Sequence, residues 1–226
     1  MSPSRDGDAV VMLVSGGLDS LLLLGEALGR GESVAPLYVR QGALWENAEV
    51  DGLERLLEAL RADHGCRVGQ LVQARVDFPA GYRARWALDA AAEPPGPDTP
   101  DDAVYLPGRN LALLLAAASH AESHGLKTIR IGTLGANPFA DGTDLFFRRF
   151  EDLFESATGW RVNVEKPLCG VDKAALMRAH AALPWRLTSS CLRPAGGAHC
   201  GRCNKCAERR RAFAAAGLPD PTPYCE

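Results

Sequence analysis

Apolar residues in this chain gather into short runs, and between them lie segments whose apolar positions recur at helical spacing. Ala9–Val14 is an unbroken apolar run of strand length. The chain turns at Ser15-Gly16-Gly17, and a second run, Leu21–Leu24, opens a helix that reaches Gly29 and closes near Gly31. Val34–Val39 reads as a strand. Trp45–Leu60 reads as a helix, with Leu53, Leu56, Leu57 and Leu60 on one face and charges between them. Val68–Val76 alternates like a strand. Residues 77–103 hold Pro94, Pro95, Pro97 and Pro100 and read as irregular; a loop of that length in a compact domain is either functional or disordered. Asn110–His124 is a helix that Gly125 stops, and Lys127–Gly132 is a strand. Asp144–Thr158 is an amphipathic helix with Asp144 as its expected N-cap. Val162–Glu165 (strand), Lys173–Ala182 (helix) and a helix from Ala207 to Ala216, ended by Gly217, complete the pattern. No internal repeat is present.

Strand, helix, strand, repeated along the chain, predicts an α/β fold. The strands form a doubly wound, mostly parallel five-stranded sheet with right-handed crossovers and helices on both faces. Ligands of such sheets bind beyond the carboxyl ends of the strands, near the switch in strand order. The turn after strand one, Leu37–Gln41 after strand two and Gly132–Asp144 after strand four are therefore expected to share one crevice.

The chain has 226 residues, 46% hydrophobic and 23% charged, which fits one soluble globular domain over residues 1–226. A net charge of -3 does not call for a nucleic-acid partner, since such proteins more often carry a basic face. No apolar stretch reaches the ~18 residues of a membrane span, and the N-terminal run is too short for a signal peptide, so a cytoplasmic protein is expected. In that compartment seven cysteines, four of them crowded together, point to metal binding rather than disulfides.

The first turn reads Ser15-Gly16-Gly17-Leu18-Asp19-Ser20. Between a buried strand and a helix, this composition makes a phosphate cradle. The glycines let the backbone approach an anion, the helix N-terminus offers unpaired N–H groups, and both serines add donors. Asp19 suits Mg²⁺ or loop ordering instead. Two glycines alone would mark only a tight turn; both serines, the aspartate and the position after the first strand favour nucleotide phosphate. The pattern S-G-G-x-D-S resembles the PP-loop of the N-type ATP pyrophosphatases. It lacks the Lys of a Walker A loop and the spacing of a dinucleotide fingerprint. The stretch expected to hold ATP is Val14, Ser15, Gly16, Gly17, Leu18, Asp19, Ser20, Leu21, Leu22, Leu23 and Leu24.

Cys191, Cys200, Cys203 and Cys206 have the spacing C-x8-C-x2-C-x2-C, and Gly196, Gly197, Gly201 and Asn204 let the chain wrap an ion. A structural Zn²⁺ site is favoured over a [4Fe–4S] cluster, which the spacing also fits. A closed four-thiolate site has no open position, so it would brace a C-terminal segment, residues 190–226, rather than react. Cys66, Cys169 and Cys225 read as packing or surface residues.

Together these residues resemble the 7-cyano-7-deazaguanine synthase family over almost the whole chain. The matching features are Ser15–Ser20, Pro107-Gly108-Arg109-Asn110, Lys173 in a late helix, and the four cysteines within Ser190-Cys191 and Cys200-Gly201-Arg202-Cys203-Asn204-Lys205-Cys206, followed by Arg209 and Arg211. The resemblance implies a PP-loop (adenine nucleotide alpha hydrolase-like) fold, ATP, Mg²⁺ and Zn²⁺ as cofactors, and a homodimer. It also implies an ATP-dependent C–N ligase: 7-carboxy-7-deazaguanine is adenylated, ammonia gives the amide, and a second ATP drives dehydration to the nitrile. Asp19, Ser20, Arg109 and Lys173 become candidate catalytic residues, with the two cations stabilising charge as pyrophosphate departs. Arg109, Asn110, Phe139 and Asp141 become candidate substrate contacts.

The chain departs from the family around the substrate. Many members carry Tyr-Ser-Gly-Tyr-Pro-Asp-Cys-Arg after strand four; here the segment is Gly135-Ala136-Asn137-Pro138-Phe139-Ala140-Asp141-Gly142-Thr143. Asp141 would accept from a guanine-like donor edge, and Phe139 would stack on the ring. After strand two, Tyr38-Val39-Arg40-Gln41-Gly42 replaces Tyr-Gly-Gln-Arg-His. A divergent member would act on a related deazapurine, or attach one to another molecule, including a protein. Two further readings compete: a tRNA-thiolating PP-loop enzyme with Cys169 as sulfur carrier, and a non-catalytic nucleotide-binding module.

Overall fold

The computed structural model describes residues 9–77, 84–133 and 139–225. Five parallel strands, β1 (Val10–Leu13), β2 (Val34–Arg40), β3 (Val72–Arg75), β4 (Thr128–Ile131) and β5 (Asn163–Glu165), form one sheet in the order β3-β2-β1-β4-β5. The helices are α1 (Leu18–Gly29), α2 (Glu46–His64), α3 (Arg85–Leu88), α4 (Arg109–Ser123), α5 (Asp144–Thr158), α6 (Lys173–Ala179) and α7 (Asn204–Ala216). The chain winds outward from β1 to β3, then returns to lay β4 on the other side of β1, so the winding direction switches between β1 and β4. None of the described helices is long and apolar enough to cross a membrane.

The two-residue period of β1 divides the core. Met12 and Val14 pack on one face with Leu21–Leu24 of α1, Leu53, Leu56 and Leu57 of α2, Met177 of α6 and Phe213 of α7. Val11 and Leu13 pack on the other with Leu114 and Ala117 of α4 and Phe147, Phe150 and Phe154 of α5. Each fully buried leucine contributes roughly 1.5–3 kcal/mol relative to exposure, so the unbroken Leu21–Leu24 run fastens α1 beneath the sheet.

The structure alters three expectations. The N-cap of α5 is Thr143, not Asp144: the Thr143 hydroxyl accepts from the Phe146 amide, and Asp144 is the first helical residue. Its carboxylate instead faces Lys166, which holds it below the usual carboxylate range. The strand read at Val68–Val76 shrinks to β3, with a lone bridge from Val68 to Val34, because β3 is an edge strand with little to cover it. The segment 77–103 is not wholly irregular, since α3 forms within it and places Trp86 against Trp45.

The C-terminal segment folds back onto the glycine-rich turn. The Ser189 amide donates to the Gly16 carbonyl at 2.9 Å, and the Ser190 amide donates to His199 Nε2 at 3.0 Å. Arg209 is 1% exposed and ties three pieces together. Its guanidinium donates to the Thr188 hydroxyl, the Trp185 carbonyl and the Thr222 hydroxyl, and Asp220 lies 3.8 Å away. A buried cation needs such a full set of acceptors to be tolerated.

Candidate active site

A cavity of about 620 Å³ opens at the carboxyl ends of β1, β2 and β4, where Leu13, Val39 and Ile131 reach its wall. This is the position expected from the strand order. The turn after β1 shapes one side. Gly16 has φ +78°, and a Cβ there would lie 3.3 Å from the Leu53 Cβ, so a side chain would be both strained and crowded. Gly17 caps α1 with no side-chain hydrogen bond, which leaves the first amides of the helix to other acceptors. The Ser15 amide donates to the Ser20 hydroxyl at 2.9 Å, and the two hydroxyls lie 3.3 Å apart. Val14, Ser15, Leu18, Asp19 and Ser20 line the cavity. Leu21–Leu24 do not: they are 0–1% exposed within the core, and their part is to hold the turn in place.

Lys173 begins α6, next to its capping residue Asp172. A cation at a helix N-terminus opposes the dipole, and here two carboxylates compensate. Its Nζ stands 2.6 Å from Asp19 Oδ1 and 3.7 Å from Glu208. Glu208 also pairs with Lys205 at 2.6 Å. Burial works against the Glu208 carboxylate, yet Lys205 and Lys173 keep its pKa below the usual value.

Arg109 and Asn110 open α4 after Gly108, which takes the left-handed conformation at φ +74°. Arg109 Nε donates to the Gln41 side-chain carbonyl at 3.2 Å. The Asn110 amide donates to Asp141 Oδ2 at 3.2 Å, and Asn110 Nδ2 donates to the Asp141 backbone carbonyl at 2.8 Å. Asp141 is thus a distant cap on α4 as well as part of the cavity wall. Phe139 stacks on Tyr105 with ring centroids 4.5 Å apart. The structure therefore brings all four candidate substrate residues to the cavity that Asp19, Ser20 and Lys173 line. Gly135–Pro138 of the same loop lie outside the described residues.

Sequence reasoning missed a polar cluster after β2. The Tyr38 hydroxyl donates to Glu49 Oε2 at 2.7 Å, and the Gln41 amide donates to the Glu46 carboxylate. Glu46 and Glu49 are 7% and 8% exposed, in the first turn of α2. Burial pushes the Glu49 carboxyl up to about 7, with Glu46 adding to the rise and Tyr38 and Arg109 opposing it. Burial and the Glu49 charge push the Tyr38 hydroxyl up as well. The available signal was two acidic residues three apart, at a helix start facing the carboxyl edge of the sheet.

The four clustered cysteines converge. Their sulfurs all lie within 4.8 Å of one another, with Cys203 and Cys206 at 3.4 Å. Tetrahedral Zn–S bonds of about 2.3 Å set sulfurs roughly 3.8 Å apart, so the group fits a zinc ion with small adjustments. The amides of Arg193 and Cys200 donate to Cys191 Sγ at 3.3 and 3.1 Å, a favourable setting for a thiolate. Contacts among the sulfurs push the Cys203 thiol below the usual range and those of Cys191 and Cys206 above it. The other three cysteines are exposed and apart from this cluster.

Residues 9–217 match the family model described as queuosine biosynthesis protein QueC. Curated relatives that match nearly the whole chain carry the name 7-cyano-7-deazaguanine synthase. The one from an Anaeromyxobacter species is 35% identical over 237 residues, covering 98% of each chain. The one from Anaeromyxobacter dehalogenans is 34% identical, covering 96% of this chain and 95% of its own. The one from Methanothrix thermoacetophila is 33% identical, covering 95% and 97%.

Proposed function

Because the chain belongs to the queuosine biosynthesis protein QueC family, we propose that it converts a 7-carboxy-7-deazaguanine to the nitrile through the amide, consuming ATP and ammonia and releasing AMP and pyrophosphate. One observation carries the reading: Ser15, Asp19, Ser20, Lys173 and Arg109 line the same cavity as the Tyr105–Phe139 stack and Asp141. Donors for a triphosphate and a flat, hydrogen-bonding wall for a heterocycle thus share one space. A carboxylate is a poor acyl donor because its leaving group is bad, and an adenylate replaces that group with AMP.

The α1 amides, Ser15 and Ser20 would take the phosphates. Lys173 would leave Asp19 in part to meet charge growing on pyrophosphate, and Arg109 would face the substrate carboxylate. Asp19 would be free to meet Mg²⁺. Zn²⁺ on Cys191, Cys200, Cys203 and Cys206 would contribute folding energy to the segment whose Ser189 amide holds the Gly16 carbonyl.

The test is pyrophosphate release with ATP and ammonia across 7-carboxy-7-deazaguanine, its amide and related pterins. Release with the first two supports the reading. Release with a pterin alone would move the substrate, and no release with any would remove the activity.

A further inference from the structure

Among the described residues five carboxylates line the cavity, and four are engaged by an ion pair or a backbone amide. Asp19 pairs with Lys173 at 2.6 Å, and Glu208 with Lys205 at 2.6 Å. Glu46 takes the Gln41 amide and lies 4.0 Å from Arg40. Asp141 takes the Asn110 amide. Glu49 differs: its carboxylate meets the neutral hydroxyl of Tyr38.

Its position is central. A Cβ on Gly16 would lie 3.5 Å from the Glu49 carbonyl, so the first turn of α2 abuts the phosphate turn. Arg109 of α4 lines the same cavity, and its charge favours the ionised Glu49 carboxylate without a direct ion pair. An acyl adenylate joins the α-phosphate to the substrate carbonyl, so its reacting carbon belongs between the phosphate turn and the Arg109 side.

We propose that Glu49 accepts the proton shed when ammonia attacks the acyl adenylate. The inference rests on the function proposed above and adds the residue that removes the proton. The nitrogen lone pair forms the C–N bond, the C–O bond to the phosphate breaks, and its electron pair leaves on AMP. The surplus N–H proton passes to the Glu49 carboxylate and then to solvent. The groups that face Glu49 among the described residues are Tyr38 from β2, Glu46 from its own helix and Arg109 from α4. A carboxyl lifted to about 7 is matched to this task, because an ordinary carboxylate is too weak a base and a stronger one would arrive already protonated.

The experiment separates two half-reactions in the full-length, zinc-loaded protein. ATP–pyrophosphate exchange with 7-carboxy-7-deazaguanine reads adenylation, and single-turnover amide formation with ammonia reads the second step. Glu49→Gln keeps an acceptor for the Tyr38 hydroxyl. It should leave exchange within about threefold of wild type and slow amide formation on the order of a hundredfold, the range of a lost general base. Hydroxylamine, a far weaker base than ammonia, forms an adduct that loses its proton to water unaided, so hydroxamate formation should survive in the variant. With rates divided by the concentration of unprotonated ammonia, wild-type amide formation should still fall on acidification below about pH 7, and the variant should lack that limb. An equal loss in both half-reactions would make Glu49 a structural partner of Tyr38 and overturn the proposal, as would no loss in either. Absence of exchange in the wild type would remove the proposed function itself, and this inference with it.

Discussion

Lys173 Nζ stands 2.6 Å from Asp19 Oδ1, so the start of α6 and the first turn of α1 present opposite charges to one cavity. The side chains are 24% and 36% exposed, which leaves both within reach of a ligand. The pair links the glycine-rich turn to α6 and sets a cation beside the first turn of α1.

Lys173→Met should therefore lose more than an ion pair. Removing one preorganised cation from a developing anion costs on the order of 10²–10³ in rate. ATP–pyrophosphate exchange should fall by about that factor while the circular dichroism spectrum stays unchanged. Asp19→Ala and Ser20→Ala should each remove exchange in the same folded background. Normal turnover in these variants would sever the turn from catalysis.

Asp141 accepts from α4 and lines the cavity, so its two roles need two substitutions. Asp141→Ala loses both, and leaving the donors it serves unpaired costs about 1–3 kcal/mol. The substrate concentration for half-maximal rate should then rise at least roughly tenfold, since ~1.4 kcal/mol is a factor of ten. Asp141→Asn keeps a carbonyl for the Asn110 amide but swaps one acceptor for a donor. If Asp141 reads the ring edge, Asn should raise the requirement nearly as much as Ala without lowering the melting temperature. A near-wild-type Asn variant would leave Asp141 as a cap on α4 alone.

Zinc removal by a chelator, or Cys203→Ser, should loosen the segment that carries Ser189 and Arg209. Metal binding contributes folding energy directly in such sites. Hydrogen exchange should rise in α7 and around Gly16, where Ser189 is bonded, before it rises in β1. Elemental analysis should find one zinc per chain. Iron with sulfide, or no metal, would contradict the assignment.

Much of this site was legible in the sequence. Ser15–Ser20 and the four cysteines stand at features that local patterns reveal, a glycine turn after a strand and metal-ligand spacing, whereas Arg109 and Lys173 stand out only through the family resemblance, because a cation at a helix start reads by itself as a solvated residue. The α5 start was misplaced by one residue because Thr143 and Asp144 are both good caps, and only backbone geometry decides between them. Glu46 and Glu49 were missed for a different reason. At the start of an amphipathic helix, two acidic residues look like a solvated first turn. Their burial comes from the packing of α2 against the glycine turn and β2, and no local pattern encodes that. Trp86 and Tyr105 were hidden likewise, because their ring partners Trp45 and Phe139 are distant in sequence.

The buried Glu49 also sets a pH dependence of stability. Its carboxyl is raised from 4.5 to about 7, so the folded protein keeps a proton that the unfolded chain has released in that window. Stability contributed at low pH is then lost as pH rises from about 4.5 through 7. In urea unfolding across that window, wild type should lose on the order of 2–3 kcal/mol relative to Glu49→Gln. Parallel profiles for the two proteins would mean that Glu49 titrates normally and would weaken its proton-accepting role as well.

In the proposed function one cavity both adenylates a deazaguanine carboxylate and turns the product into a nitrile. Mass spectrometry of a reaction with ATP, Mg²⁺, 7-carboxy-7-deazaguanine and ¹⁵N-ammonium tests it most directly. A labelled amide should rise and then fall, and the nitrile should keep the label. One AMP should form with the amide and a second with the nitrile. Unchanged carboxylate, or AMP formed at the same rate without it, would rule this reaction out.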